Sequence, residues 1–268
     1  MSADDRRIEG KGTPESDWQA LGGLDDLPCI THDALVTPGQ HAVIVAPHPD
    51  DETLGFAGLM LQLAAAGHTM HLIAVTDGTA SHAGSTHWSA ERLAQQRPLE
   101  SLEALRRLGC EQQTTVERLG LPDTAVAYHE VALSDHLTAQ LTPEHVVLTT
   151  WRGDGHPDHE ATGRACARAC EATGARLIEI PIWTWHWAAP GDPRAPWAQA
   201  RRLPLEADML ARKQDAIQAH ESQLTVDPDT GQAPILPDYV LRRLTRPYEV
   251  FLIPAPHETA TTERRRCP

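Results

Sequence analysis

From Ala42 onward the chain alternates short apolar runs with amphipathic stretches, and that alternation limits the fold more than any other feature. Runs at 42–46 and about 70–75, 114–119 and 145–150 read as strands, with helices about 53–66, 89–108 and 130–141 between them. Strands that recur with a helix between them pair in parallel through helical crossovers. The expected class is therefore α/β: a Rossmann-like, mostly parallel sheet flanked by helices. Gly67 and Gly109 stand where C-terminal caps belong, and Thr53 or Asp51 can cap the first of these helices. An Ala-rich helix near 159–172 and a strand near 175–180 continue the rhythm, which then stops. Residues 181–204 hold Trp183, Trp185, Trp187 and Trp197 among five prolines. A helix near 205–219, a Pro/Asp/Gly loop and a strand near 249–253 complete a set of irregular C-terminal additions.

At 268 residues the chain accommodates one large domain, read as 39–268, after a polar N-terminal arm over 1–38 read as extended. The arm can pack on the domain or serve subunit contact, so a homo-oligomer stays open. A net charge of −14, with no basic block beyond Arg264-Arg265-Arg266, argues against nucleic acid and favours a neutral or cationic small molecule. No apolar run approaches the ~20 residues of a membrane span, and residues 1–12 lack a signal-peptide core, so a cytoplasmic location is expected. Cys29, Cys110, Cys166, Cys170 and Cys267 form no CxxC pair and are expected to be reduced, with Cys166 and Cys170 as small core packing.

Two short clusters sit where strands give way to helices: Pro47-His48-Pro49-Asp50-Asp51-Glu52 after 42–46, and Gly155-His156-Pro157-Asp158-His159 after 145–150. In a parallel sheet such turns line the ligand crevice. His48 and Asp51, three apart at a helix entry, can converge on one ion, and a further imidazole from His159 or His156 completes a three-ligand set with an open position. Adjacent carboxylates cannot easily address the same ion, which leaves the second for proton transfer as a general base. His156, if protonated and held by Asp158, could stabilise an oxyanion or protonate a leaving amine. Either cluster alone also suits a polar turn with Asp51 as a cap. Both together, at the carboxyl ends of predicted strands, describe one metal-dependent hydrolytic site.

With these motifs the sequence resembles the PIG-L or LmbE-like zinc-dependent N-deacetylases, whose hallmarks are an (A/P)HPDDE turn and a later HPDH turn. Val75-Thr76-Asp77-Gly78, Arg97-Pro98-Leu99-Glu100, Leu119-Gly120-Leu121-Pro122-Asp123, Lys213, His220-Glu221-Ser222-Gln223 and Tyr248-Glu249-Val250-Phe251 extend the resemblance over about residues 41–252. The resemblance implies a Rossmann-like fold and one Zn2+ per chain held by His48, Asp51 and His159. It also implies Asp50 as general base and His156 as acid or electrostatic stabiliser, oriented by Asp158. Arg97 and Asp123 would face the substrate sugar, although Arg97 could instead form a structural ion pair with Glu100 or another acid. The implied reaction removes an N-acetyl group from an N-acetylglucosamine-type amino sugar. The alternatives are an amidase on a larger amide such as a thiol conjugate, or a non-catalytic carbohydrate-binding protein. Asp154 stands where some relatives place a tyrosine near the oxyanion.

Trp183, Trp185 and Trp187 alternate with period two, so an extended segment would present all three indoles on one face. That face could stack on a sugar, or pack the sheet or a subunit interface. His186 would point away, to the surface or behind the site. His82 and His87 could border the mouth, and His220 is expected to fix a nearby turn.

Overall fold

The computed structural model describes residues 6–20 and 24–253; Cys267 and the Arg264–Arg266 block lie outside the described residues. The strands are β1 (His41–Ala46), β2 (Met70–Thr76), β3 (Thr114–Leu121), β4 (His145–Thr150), β5 (Arg176–Ile180), β6 (Ala200–Pro204) and β7 (Tyr248–Leu252). They form one seven-stranded sheet in the order β3-β2-β1-β4-β5-β7-β6. The first five are parallel, and β7 runs antiparallel to both β5 and β6. The fold is thus the expected mostly parallel α/β arrangement.

The helices are α1 (Glu15–Ala20), α2 (His32–Leu35), α3 (Asp51–Ala65), α4 (Ala90–Leu108), α5 (Glu130–Gln140), α6 (Pro157–Thr173), α7 (Thr184–Trp187), α8 (Ala207–Ile217), α9 (Glu221–Leu224) and α10 (Asp238–Leu244). Successive strand side chains point to opposite faces, so β1 feeds two cores. Ala42, Ile44 and Ala46 pack under α3, α4 and α8, whereas Val43 and Val45 pack under α5 and α6. Local chemistry ends the helices as the sequence implies. Gly109 and Gly174 close α4 and α6 in the left-handed conformation, with φ of 70° and 77°.

Helix α3 is apolar nearly all round and buried accordingly. Its middle is clipped by a buried ion pair. Lys213 Nζ donates to the Leu54 carbonyl at 2.7 Å and to Glu249 at 2.8 Å, while Glu249 accepts from the N–H groups of Gly58 and Leu59 at 2.8 and 2.9 Å. In a regular helix the Gly58 N–H and the Leu54 carbonyl serve each other. Here they also reach β7 and α8.

Three expectations need correction. The arm is not extended: it contains α1 and α2, and it lies across the later part of the chain. Arg6 donates to Gly153 O and pairs with Glu160, Thr13 bonds the 186 and 188 carbonyls, and Glu15 pairs with Arg246 at 2.7 Å. Residues 184–187 are a helical turn and not a strand, and β6 lies in the proline-rich stretch read as irregular. Among the cysteines, Cys110, Cys166 and Cys170 are free and buried, but Cys29 is disulfide-bonded, against the expectation of reduced thiols. Among the described residues no helix is long and apolar enough to cross a membrane.

Candidate active site

The chain runs from β1 outward to β3 and then returns to the other side of β1 with β4. That reversal opens a crevice beyond the carboxyl ends of β1 and β4. Val45 pairs with Thr149 across the two strands, so the turns that follow, 47–51 and 151–156, lie side by side.

Three donor atoms converge there. His48 Nδ1 is 3.4 Å from Asp51 Oδ2 and 3.3 Å from His159 Nε2, and His159 Nε2 is 3.3 Å from Asp51 Oδ2. Donors ~2.0–2.1 Å from a tetrahedral ion stand about 3.3–3.4 Å apart, so this triangle is the face such an ion would cap. Two imidazoles and one carboxylate form a donor set of the kind found in hydrolytic zinc sites. His156 also lies close enough to His48 and His159 to group with them.

Each of the two imidazoles has its own buried carboxylate on the far nitrogen. His159 Nδ1 meets Asp154 Oδ2 at 2.8 Å, and His48 Nε2 meets Asp158 Oδ2 at 3.2 Å. Such partners fix which nitrogen is left for the metal. Burial alone would disfavour charge on these rings, but the surrounding acids outweigh it. Asp51 and Asp154 raise His159 to about 9, and Asp123, Asp158 and Asp51 raise His48 well above its ordinary value.

Asp158 does not do what the sequence reading assigned. Its carboxylate accepts from the Thr124 and Val126 N–H groups at 2.7 and 3.1 Å and faces His48. Only its backbone N–H meets His156, at Nδ1 and 3.3 Å. That bond leaves the His156 proton on Nε2. Burial, then the neighbouring His159 and His48, lower His156 to about 2, so it enters as a neutral donor and not as a cation.

Asp50 lies beside this triangle, 6% exposed, with no hydrogen-bond partner for its carboxylate among the described residues. Burial and the adjacent Asp51 raise its pKa well above the ordinary carboxylate value. Its backbone φ is 152°, and Thr124, across the cleft, is the other described non-glycine residue with positive φ, at 65°. Sparsely populated backbone of this kind collects at working sites. The Asp50 turn is held from both sides: its N–H donates to Glu52 at 3.0 Å, and Gln223 donates to the Pro49 carbonyl.

Residues 43–170, which contain both turns, match the family described as PIG-L, the GlcNAc-PI de-N-acetylases. A 1D-myo-inositol 2-acetamido-2-deoxy-alpha-D-glucopyranoside deacetylase from Rhodococcus opacus (strain B4) is 27% identical over 243 residues, 70% of this chain and 83% of that protein. A probable N-acetyl-alpha-D-glucosaminyl L-malate deacetylase 2 from Bacillus anthracis is 27% identical over 201 residues, 69% of this chain and 81% of that protein. The N,N'-diacetylchitobiose deacetylase from Pyrococcus horikoshii shares the fold with a TM-score of 0.56 at 19% identity, over 82% of this chain and 83% of its own. The Rhodococcus and Bacillus relatives are both named as deacetylases, and the family match spans both turns of this site.

Around these turns the cleft is walled by Arg97, Asp123, Thr124, Ile182, Trp183 and Leu236, among others. Arg97 is 2% exposed and donates to Ser81 Oγ at 2.8 Å, and its Nε has no partner. It does not pair with Glu100, which is taken by Ser222 at 2.7 and 2.9 Å. Asp123 accepts from Ala80 N–H at 2.7 Å, and His48 lowers it to about 2 against the opposing effect of burial.

Of the three tryptophans only Trp183 borders the cleft. The helical turn scatters the others. Trp185 is buried edge-on against Trp18 at 5.0 Å, and Trp187 Nε1 donates to the Asp154 carbonyl at 2.8 Å. His186 is buried rather than at the surface, against Glu9 O at 3.0 Å and Arg243 at 3.1 Å. Ser81, Gln223 and Asp154 were not singled out as site residues from sequence. Gln223 lay in the family-like stretch that begins at His220 and Ser81 in the loop that follows Gly78, but nothing local to Asp154 marks its role.

Proposed function

We propose that this chain is a zinc-dependent N-deacetylase that removes the acetyl group from an N-acetylglucosamine-type unit of a small molecule. The single observation that carries this reading is the 3.3–3.4 Å triangle of His48, Asp51 and His159, with the unpartnered Asp50 carboxylate beside it. One zinc per chain, a single domain over 39–268 and a cytoplasmic location belong to the same reading, supported by the likeness to amino-sugar deacetylases.

His48, Asp51 and His159 would hold the ion, which when bound supplies Lewis acidity to water and to the amide carbonyl. Asp50, its affinity for a proton already raised by burial, takes one from the attacking water. His156 donates from Nε2 to the oxygen that gains charge, as a neutral hydrogen-bond donor. Asp50 then returns the proton to the departing nitrogen, so the amine leaves neutral with acetic acid, which gives up its own proton to solvent and becomes acetate. Arg97 and Asp123 face hydroxyl groups of the sugar, with Trp183 along one edge.

The test is acetate release from a panel of N-acetylglucosaminyl compounds by metal-stripped protein, protein with one equivalent of zinc, and zinc-loaded Asp50→Asn. Release that needs zinc and vanishes in the variant is expected. Zinc binding without acetate from any compound overturns the deacetylase reading and directs attention to larger amides or to sugar binding alone.

A further inference from the structure

We propose that Asp154 is a positioning residue that locks His159 with its proton on Nδ1 and its Nε2 toward the metal, and that couples this ligand to the wall of the cleft. The part that concerns metal rests on the deacetylase reading above. The coupling rests on geometry alone.

Asp154 is fully buried, and its carboxylate is surrounded by donors. Oδ1 accepts from Ile182 N–H at 3.0 Å, Thr184 N–H at 2.9 Å and Thr184 Oγ at 2.6 Å. Oδ2 accepts from Trp183 N–H at 2.9 Å and meets His159 Nδ1 at 2.8 Å. An acid in this position has only lone pairs to offer, so the proton it shares with His159 sits on the imidazole. The same side chain caps the free N–H groups at the start of α7 from about thirty residues earlier in the chain. Its backbone carbonyl accepts from Trp187 Nε1 at the end of that turn. Ile182 and Trp183, which line the cleft, are therefore registered against His159 through one carboxylate.

Asp154→Asn tests this sharply because the shape is unchanged. Three donors converge on Oδ1, so the amide oxygen settles there and the NH2 group is forced against both His159 Nδ1 and Trp183 N–H. His159 then accepts on Nδ1 and carries its proton on Nε2, the atom the metal needs. The expected result is zinc affinity about 10–100-fold weaker than wild type by chelator competition. Thr184→Val, which removes one donor from Oδ1 and leaves Oδ2 untouched, is expected to stay within about threefold. In nitrogen-15 spectra of the zinc-loaded wild type, His159 is expected to show a hydrogen-bonded proton on Nδ1.

Wild-type zinc affinity in a folded Asp154→Asn protein overturns the proposal. So does a zinc-loaded wild type with the His159 proton on Nε2, a result that needs no variant to fold. If the wild type binds no zinc at all, the deacetylase reading fails first, and the part of the proposal that concerns metal fails with it.

Discussion

Gly78 and Arg97 are packed so closely that a Cβ on the glycine would fall inside the guanidinium. Gly78 also has φ of 62°, which L side chains rarely adopt, so the position is closed to other residues twice over. Gly78→Ala is expected to push Arg97 off Ser81 and out of its place in the cleft. A lost hydrogen bond to a charged group is worth about 1.5–3 kcal/mol, which corresponds to a KM for the proposed substrate raised about 10–150-fold. Zinc stoichiometry should stay at wild type. Steady-state kinetics beside a zinc titration would separate the two, and an unchanged KM would remove Arg97 from substrate contact.

The two tryptophans at 183 and 185 should part company on mutation. Trp185 is 3% exposed and packs against Trp18, Trp197 and Arg246, so Trp185→Ala should cost about 3–5 kcal/mol in urea unfolding. Trp183 borders the cleft, and Trp183→Ala should change KM with under about 1.5 kcal/mol of destabilisation. Equal losses of stability would mean that Trp183 is also a core residue.

The Lys213–Glu249 pair is about as buried as side chains become, 1% exposed on each partner. Lys213→Met leaves the Glu249 carboxylate without its cation and is expected to cost about 3–5 kcal/mol. Adding Glu249→Gln removes the stranded charge but keeps an acceptor for the Gly58 and Leu59 N–H groups. The double variant should therefore unfold later than Lys213→Met alone, with a positive coupling in the double-mutant cycle.

His220 makes the metal-free protein acid-sensitive. It is fully buried, and burial followed by the charge of Arg97 lowers it to about 3 from an ordinary 6.5. The unfolded chain therefore binds a proton below about pH 6.5 that the folded one refuses down to about 3. Stability is complete above 6.5 and falls with acidification, by at most about 1.4 kcal/mol per pH unit from this group. Urea midpoints at pH 7, 6 and 5 should converge between wild type and His220→Gln if this is right. Parallel lines would assign the acid sensitivity elsewhere.

The parallel sheet and the two ligand turns were legible because strand and helix periods repeat without interruption through β4, and because His-Pro-Asp turns announce themselves at strand ends. The tryptophan segment was misread for a physical reason. A period-two run of indoles reads as a strand only if its backbone groups seek a ladder, and here the N–H groups of residues 182–184 are taken by Asp154. No local pattern reports an acceptor that far away. The role given to Asp158 failed similarly: adjacency to His156 suggested a partnership, whereas the helical turn aims its carboxylate at His48. Strand β6 hid among prolines because an edge strand tolerates them.

The contacts of the arm with residues 153, 160, 186, 188 and 246 set an order of events during synthesis. Residues 6–15 leave the ribosome before the surface that receives them, because their partners lie between 147 and 231 residues later in the chain. An early segment thus waits for its partners, and the turn that carries His156 gains its outer brace from Arg6 only after Glu160 has been made.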